Sequence, residues 1–427
     1  MIDFDFDKWC CGCTSCESTC PVSAIAMHPN SEGFLMPVVD KEKCINCGRC
    51  DKCCPHLNTP EDTSSFSLKS FDGKSSYLYF SNQAERRDSA SGGFVYDAML
   101  TTLKNKGVAC GCIWDDQLNA IHIVSDQHHD LRKMQSSKYV QSNLSGCFPQ
   151  IKNALKEGRK VVFCGTPCQT AGLNYYLGKK NFENLISICL ICHGVASPLA
   201  WDRWKAVMEK KYKGKLVDVN MRDKSYKGYS TSYCRYTFET APRTQRENPG
   251  HASHECGILN STYLAERSKR NVGMPTFLAD PYIFLFTDNL YLRKSCNRCQ
   301  YKADQNRADI IVGDFYESTP SAGNMGCSCV IVMTEKGDRF IKDMDGTLIP
   351  SDYKTIGTVN SMLWRSVNEN TKRYNYFETL KSTAKGDPTL FTSFLPFRFR
   401  IKKILNNIGA FEIYQKLKRK SVRLKDI

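Results

Sequence analysis

Along residues 77–191, short runs rich in β-branched and aromatic side chains alternate with stretches whose apolar positions recur at helical spacing. Strands are expected at 77–80, 108–114, 159–165 and 185–191, with one helix over about 92–106 and another after Pro167, since proline suits a first helical turn. That alternation argues for an α/β or α+β domain of catalytic size, from residue 77 to about 385. Nearer the start, apolar runs at 24–27 and 34–39 flank a turn-rich 29–33 and read as a hairpin. Residues 61–76 are polar and rich in turn formers, and read as a linker. Residues 386–427 form a basic amphipathic tail: from Pro396 onward there are ten Lys or Arg against two acidic residues, with Ile401, Ile404, Leu405 and Ile408 at helical spacing. A membrane-surface or partner-docking helix fits that pattern. A terminal helix that packs its apolar face on the domain fits it better, because Gly409 weakens a continuous helix.

A chain of 427 residues has room for two or three domains and can bury a full core without disulfide staples. The 23 cysteines therefore need another explanation. They cluster at short spacings behind an acidic start, residues 1–5, that carries no signal-peptide pattern, so thiolate ligands in a reducing cytoplasm are expected rather than a secreted framework. No stretch reaches the roughly 18 uninterrupted apolar residues of a membrane span, so membrane contact would be peripheral, through the basic tail. The net charge of +15 is unevenly placed, −3 on residues 1–60 and +18 on the remainder. Such a field could draw in nucleic acid, anionic lipid, or an acidic redox partner or cofactor. No recognition helix or aromatic–basic stripe accompanies it, so specific nucleic-acid binding is not expected.

The first sixty residues carry the most specific chemistry. Cys10, Cys13, Cys16 and Cys20 stand at spacings x2, x2, x3 before Pro21, and Cys44, Cys47, Cys50 and Cys54 repeat that spacing before Pro55. Three cysteines at x2 spacing wrap one cubane, while the fourth, carried off by the turn before proline, reaches the other. A bacterial-type ferredoxin module with two 4Fe-4S clusters is therefore expected over 1–60: cluster one on Cys10, Cys13, Cys16 and Cys54, cluster two on Cys44, Cys47, Cys50 and Cys20. Structural zinc motifs also open with Cys-x2-Cys, but zinc has no use for a third x2 cysteine or a trailing Cys-Pro. Cys11 and Cys53 fall outside the ligand register and read as spectators.

In the larger region, Ser89 to Gly93 precede a helix, an arrangement that suits a phosphate or equally a plain helix cap. A buried strand at 161–165 turns into a helix with Cys168 near its N-terminus, where a thiolate is stabilised, as a ligand or as a redox nucleophile. Cys192 follows a second apolar strand, and Cys296 and Cys299 precede the apolar run 309–315; with Cys168 they make four candidate ligands at strand ends. The adjacent His128 and His129 cannot both face one metal from a regular element and read as a polar loop. His193 reads either as a satisfied core histidine or as a hydrogen-bonding neighbour of a cofactor.

Ser89-x-Ser-Gly-Gly, Lys138-Tyr139-Val140-Gln141-Ser142, Gly165-Thr166-Pro167-Cys168-Gln169, Cys192-His193-Gly194-Val195, Cys296-x2-Cys299 and Ile311-Val312-Gly313-Asp314-Phe315 occur in the order seen in the coenzyme F420 hydrogenase/dehydrogenase beta-subunit family, which this chain resembles from about 77 to 385. The resemblance implies an α+β protein: the ferredoxin-like domain, then a larger α/β flavin-binding domain. It implies a third 4Fe-4S cluster on Cys168, Cys192, Cys296 and Cys299, beside FAD. Ser91, Gly92 and Gly93 would cradle FAD oxygens, Lys138 would lie near the flavin ring and stabilise its anionic reduced form, and Tyr139, Thr166 and Asp314 would complete the site. Relatives often continue with Trp-Gly where this chain has Tyr316-Glu317, and Cys164, Cys189, Cys327 and Cys329 crowd the ligand set.

The expected function is that of an iron–sulfur flavoenzyme, passing single electrons between clusters and FAD and a hydride between FAD and an organic substrate or a deazaflavin-type coenzyme. A ferredoxin-like or other redox partner would exchange electrons with it. Two alternatives stand beside this: a non-catalytic electron-relay subunit, and an accessory redox protein of surface-polysaccharide synthesis.

Overall fold

The computed structural model describes residues 2–60, 66–225, 228–229, 232–239, 269–275, 280–317 and 319–397, with 399, 401 and 404. Near the start, β1 (Ile25–Pro29) and β2 (Leu35–Val39) pair antiparallel, Ile25 opposite Val39, as the hairpin pattern predicts. Short helices Ser15–Thr19 and Arg49–Cys53 lie in the two cysteine runs.

The centre of the molecule is an eight-stranded sheet. Its strands are β3 (Ser76–Ser81), β4 (Val108–Trp114), β5 (Ala120–Ser125), β6 (Val161–Gly165), β7 (Leu185–Leu190), β11 (Ile310–Phe315), β12 (Cys327–Val332) and β13 (Gly346–Ser351). They lie in the order β13-β3-β12-β11-β7-β6-β4-β5. The middle four, β11, β7, β6 and β4, run parallel, and the strands outside them pair antiparallel. Sequence explains the division. A parallel strand is covered on both faces, and β6, β7 and the start of β11 are near-continuous apolar runs buried along their length. The edge strand β13 is half-buried and carries Pro350, a residue that sheets tolerate at their rims. The expected strands and both expected helices, found as Phe94–Lys104 and Pro167–Tyr176, are present.

A separate antiparallel sheet, β8 (Lys215–Asp223), β9 (Tyr233–Glu239) and β10 (Lys269–Pro275), in the order β10-β9-β8, was not expected from the sequence. Its buried Leu216, Val219 and Tyr236 join Trp201 and Trp204 of the helix Pro198–Tyr212 in the largest core. That same core takes in Phe34 and Met36 of the β1–β2 hairpin, so the cysteine-rich start is packed onto the rest of the chain.

Three expectations need adjustment. His128 and His129 are not in a loop but open the helix His128–Met134, whose buried Leu131 and Met134 hold it to the sheet. Within the stretch expected as a linker, 61–65 lies outside the described residues, but Leu68–Phe71 forms a tight helical turn with Phe71 fully buried. Early residues of the expected tail are core: Leu390, Phe391 and Phe399 are buried in the largest core. Leu405, Ile408 and Gly409, on which the amphipathic reading turned, lie outside the described residues. Among the described residues no helix is long and apolar enough to cross a membrane.

Candidate metal centres

The two cysteine runs fold alike. Thr14 and Gly48, each between the second and third cysteine of its run, sit in the left-handed region at φ 66° and 67° and start the short helices. Gly12, at φ 69°, turns the chain between Cys10 and Cys13. Both helices end at the fourth cysteine, Cys20 or Cys54, which is extended because a proline follows. That extension sends the fourth thiol away from its own run. One recess, of about 350 Å³, is lined by Cys44, Cys47, Cys50 and Cys20; a second, of about 340 Å³, is lined by Cys10, Cys13, Cys16 and Cys54. Each recess thus draws one cysteine from the other run, and Cys11 also lines the second. The remaining walls are mostly apolar, with Ala24, Ile25 and Val39 at the first and Ile2, Phe4 and Met27 at the second.

A third group of cysteines gathers where the parallel strands end. Strands β6 and β7 are neighbours, Gly165 opposite Cys189, so the segments leaving their carboxyl ends start side by side. Cys168 stands in the first helical turn after β6 and Cys192 just beyond β7, the edge at which open α/β sheets place ligands. An isolated bridge between Ala196 and Leu292 then brings in the turn Lys294–Arg298, which carries Cys296 and is capped by Cys299. A Cβ on Gly194 would stand 3.4 Å from the Cys296 Cβ. Burial pushes the Cys192 thiol up to about 12 against the nearby Lys302 charge, and Cys168 and Cys299 also act on it. Burial likewise raises Cys296 and Cys299. Cys168 goes the other way, because the Cys11 thiol hydrogen-bonds to it, helped by Thr166 and the Arg293 charge. The Thr166 hydroxyl lies 3.3 Å from the Cys168 sulfur, so this residue belongs with the cysteines.

The first and third sets lie on opposite sides of one seam. A Cβ added to Gly172, one turn along the helix from Cys168, would come within 2.8 Å of the Cys13 Cβ. Ser15 Oγ donates to Gly172 O at 2.9 Å. Cys11, read as a spectator, touches both Cys13 and Cys168 in that seam. Arg293 crosses it, with Nε donating to Cys10 O at 2.6 Å and Nη2 to Leu35 O at 2.9 Å. Sequence reasoning missed Arg293; its only signal was a position three residues before Cys296.

The donor sets fit iron–sulfur clusters. All twelve candidates are cysteines in three groups of four, two of them around recesses. Among the described residues no three His, Cys, Asp or Glu side chains converge on one metal-ion position. A cubane takes its thiolates at its four corners, farther apart than the ligands of a single ion, so a ring of thiols around a recess is the relevant geometry.

The residues expected around a flavin fit less openly. Ser91 Oγ donates to Cys327 O at 2.7 Å, and the Gly92 amide is taken by Ser328 Oγ at 3.1 Å. A Cβ on Gly92 would lie 2.2 Å from Tyr79 O, so glycine is needed there for packing of the turn on β3. Gly93, at φ 94°, starts the helix Phe94–Lys104. The Lys138 ammonium donates to Gln135 O at 2.9 Å. What draws part of this set together is Arg222 on β8, which sequence reasoning missed: it donates to Asp314 Oδ2 at 3.0 Å and to the Tyr139 hydroxyl at 3.2 Å, beside Ala90 O. Lys224 holds the same turn from below, with Nζ on Ser91 O at 2.8 Å, and burial beside Arg86 and Arg222 pushes it down to about 7. His193 is a satisfied histidine, Nε2 to Asn289 Oδ1 at 2.7 Å, packed on Phe286.

No curated protein matches this chain. Among solved structures, a chain of the xenon-derivatised F420-reducing NiFe hydrogenase complex from Methanosarcina barkeri is similar over 65% of this chain and 83% of its own, at 16% identity and a TM-score of 0.38, too loose a likeness to carry an argument. The family described as the C terminus of the coenzyme F420 hydrogenase/dehydrogenase beta subunit matches residues 158–349, the stretch holding Cys168, Cys192, Cys296 and Cys299. Over these residues the chain is similar to the coenzyme F420 hydrogenase/dehydrogenase beta-subunit family, a family of oxidoreductases.

Proposed function

We propose that this protein is an iron–sulfur oxidoreductase whose three cysteine sets hold three 4Fe-4S clusters, forming a path for single electrons that ends at an FAD in the large domain. The observation that carries it is the seam: the first and third sets approach each other across Cys11, Cys13, Gly172 and Cys168. Clusters so held supply one-electron transfer, and FAD would convert pairs of such electrons into a hydride for an organic substrate or deazaflavin-type coenzyme. The chain's own contribution is to hold the thiols apart in apolar recesses and to pack the two halves at fixed separation. Cys47 is exposed while Cys13 and Cys16 are buried, which favours the second set as the point where a redox partner exchanges electrons. The flavin part of the reading rests on the family and on the convergence of Ala90, Tyr139 and Asp314 at Arg222; Ser91 and Gly92 spend their hydrogen bonds within the chain.

An anaerobic count of iron, acid-labile sulfide and flavin tests it. About twelve irons and one FAD per chain are expected, and Cys299→Ser should lower the iron count by about four while leaving the N-terminal clusters. About eight irons with no flavin in fully loaded protein would reduce the reading to a two-cluster relay.

A further inference from the structure

Arg293 is 1% exposed, one of the largest fully buried side chains of the molecule. Of the other buried cations, Arg222 has a carboxylate in Asp314 and Arg373 has one in Glu32, while Lys224 and Lys302 are held by backbone carbonyls. Arg293 has no carboxylate within ion-pair reach among the described residues. Its guanidinium donates to two backbone carbonyls and to Met36 Sδ at 2.9 Å, and Nη1 is buried with no hydrogen-bond partner. It lies against Phe34, with its carbon 5.4 Å from the ring centre. A cation held away from water without a counter-charge is costly, so something anionic belongs beside it. Its position indicates what. Its backbone is tied to both segments of the third set, Arg293 N to Val195 O and Cys296 N to Arg293 O, each at 3.0 Å. Its side chain ends at Cys10 of the first set, and its charge acts on the thiols of both Cys10 and Cys168.

We propose that Arg293 is the shared counter-charge of the first and third cysteine sets, a positioning residue that raises the reduction potentials of the two clusters together. This rests on reading both sets as cluster sites. A 4Fe-4S cube with four thiolates is an anion, and accepting one electron adds a further negative charge. A fixed guanidinium in a low-dielectric seam stabilises the more negative state, and net charge and hydrogen bonding are among the levers that set cluster potentials. Because one side chain serves both clusters, the two potentials rise in step and the driving force between the clusters is left unchanged. Lys302, which donates to Cys192 O and to Met362 O, touches the third set alone.

The test is an EPR-monitored dithionite titration of the full-length, cluster-loaded protein. Arg293→Gln should make the first and third clusters harder to reduce, each by at least tenfold in its one-electron equilibrium, about 59 mV, and leave the cluster on Cys20, Cys44, Cys47 and Cys50 unmoved. Lys302→Gln should shift the third cluster only. Wild-type iron and sulfide content in Arg293→Gln with all potentials within threefold of wild type would overturn the proposal. Should Arg293→Gln fail to hold clusters, Arg293→Lys decides: the charge is kept, so both potentials should stay within threefold, and a tenfold fall would overturn it. A wild-type count of about eight irons would end the three-cluster reading itself, a result distinct from a full count with unmoved potentials.

Discussion

Gly172→Ala offers a test of the seam whose sign, and not merely its size, is diagnostic. Gly172 is in the interior of the helix Pro167–Tyr176. Helix propensity alone makes alanine there more stable by about 0.5–1 kcal/mol. In the docked molecule the new methyl would stand 2.8 Å from both the Cys13 Cβ and the Ser15 Oγ, and 3.0 Å from the Cys13 sulfur. None of these is the free end of a long side chain. Cys13 is held by its run, and Ser15 is tied to Gly172 O. Relieving such overpacking costs about 1–3 kcal/mol. The balance is a net cost of up to about 2.5 kcal/mol, and a cost of about 1.4 kcal/mol multiplies the undocked population tenfold. Opening the seam exposes the first set further to a ferrous chelator, so iron release should accelerate as that population grows. A Gly172→Ala protein that releases iron more slowly than wild type, or melts higher, would show that the helix and the Cys13 turn do not meet as described and would refute the reasoning.

Other consequences follow from buried charge. Glu32→Ala leaves Arg373, 3% exposed, without its carboxylate; about 3–5 kcal/mol should be lost, seen as a lower denaturation midpoint and looser docking of the β1–β2 hairpin under proteolysis. His122, buried with Nε2 on Cys164 O, has its pKa pushed down to about 4 by burial from an ordinary 6.5. Its unfolded form binds protons first, so its contribution is complete above pH 6.5 and is lost as pH falls toward 4; by pH 5.5 wild type should lose about 1.4 kcal/mol that His122→Gln does not, read by denaturation at pH 7.5 and 5.5. Asp314→Asn removes the charge facing Arg222 and should cost about 3 kcal/mol and lower any bound flavin; an unchanged midpoint would show that the pair is not buried in solution.

The cysteine grouping was legible because it is local chemistry: spacing fixes the turn, and proline fixes where the fourth thiol goes. The central strands were legible for a similar reason, since a strand covered on both faces must be an apolar run. Arg222, Arg293 and Lys302 were not. Each is an ordinary basic residue in its own neighbourhood, and its role arises from partners far away in sequence, Arg293 from Cys10 and Arg222 from Asp314. The sheet β8–β9–β10 escaped because β8 interleaves Asp218 and Asn220 with its buried positions and carries two register shifts against β9. Phe71 sits in polar surroundings that read as linker, yet its ring is fully buried, and the apolar residues at 390–399 that seat the start of the tail were overshadowed by the basic run after them.

The opposite charges of the two regions, which in the sequence invited an outside acidic partner, are partly answered within the chain. Glu17 accepts from Ser145 at 2.7 Å and Glu32 from Arg373 at 2.8 Å, while Arg293 reaches the carbonyls of Cys10 and Leu35. The seam is therefore built from polar contacts around the first cysteine set, with Phe34 and Met36 completing the core beside it. The second set, by contrast, keeps Cys47 and Ile45 at the surface, Ile45 at 62% exposure. The second set is thus the more exposed of the two, which favours exchange with a redox partner there. The residues that pack around the first set are those whose positions the cysteine spacing could not supply.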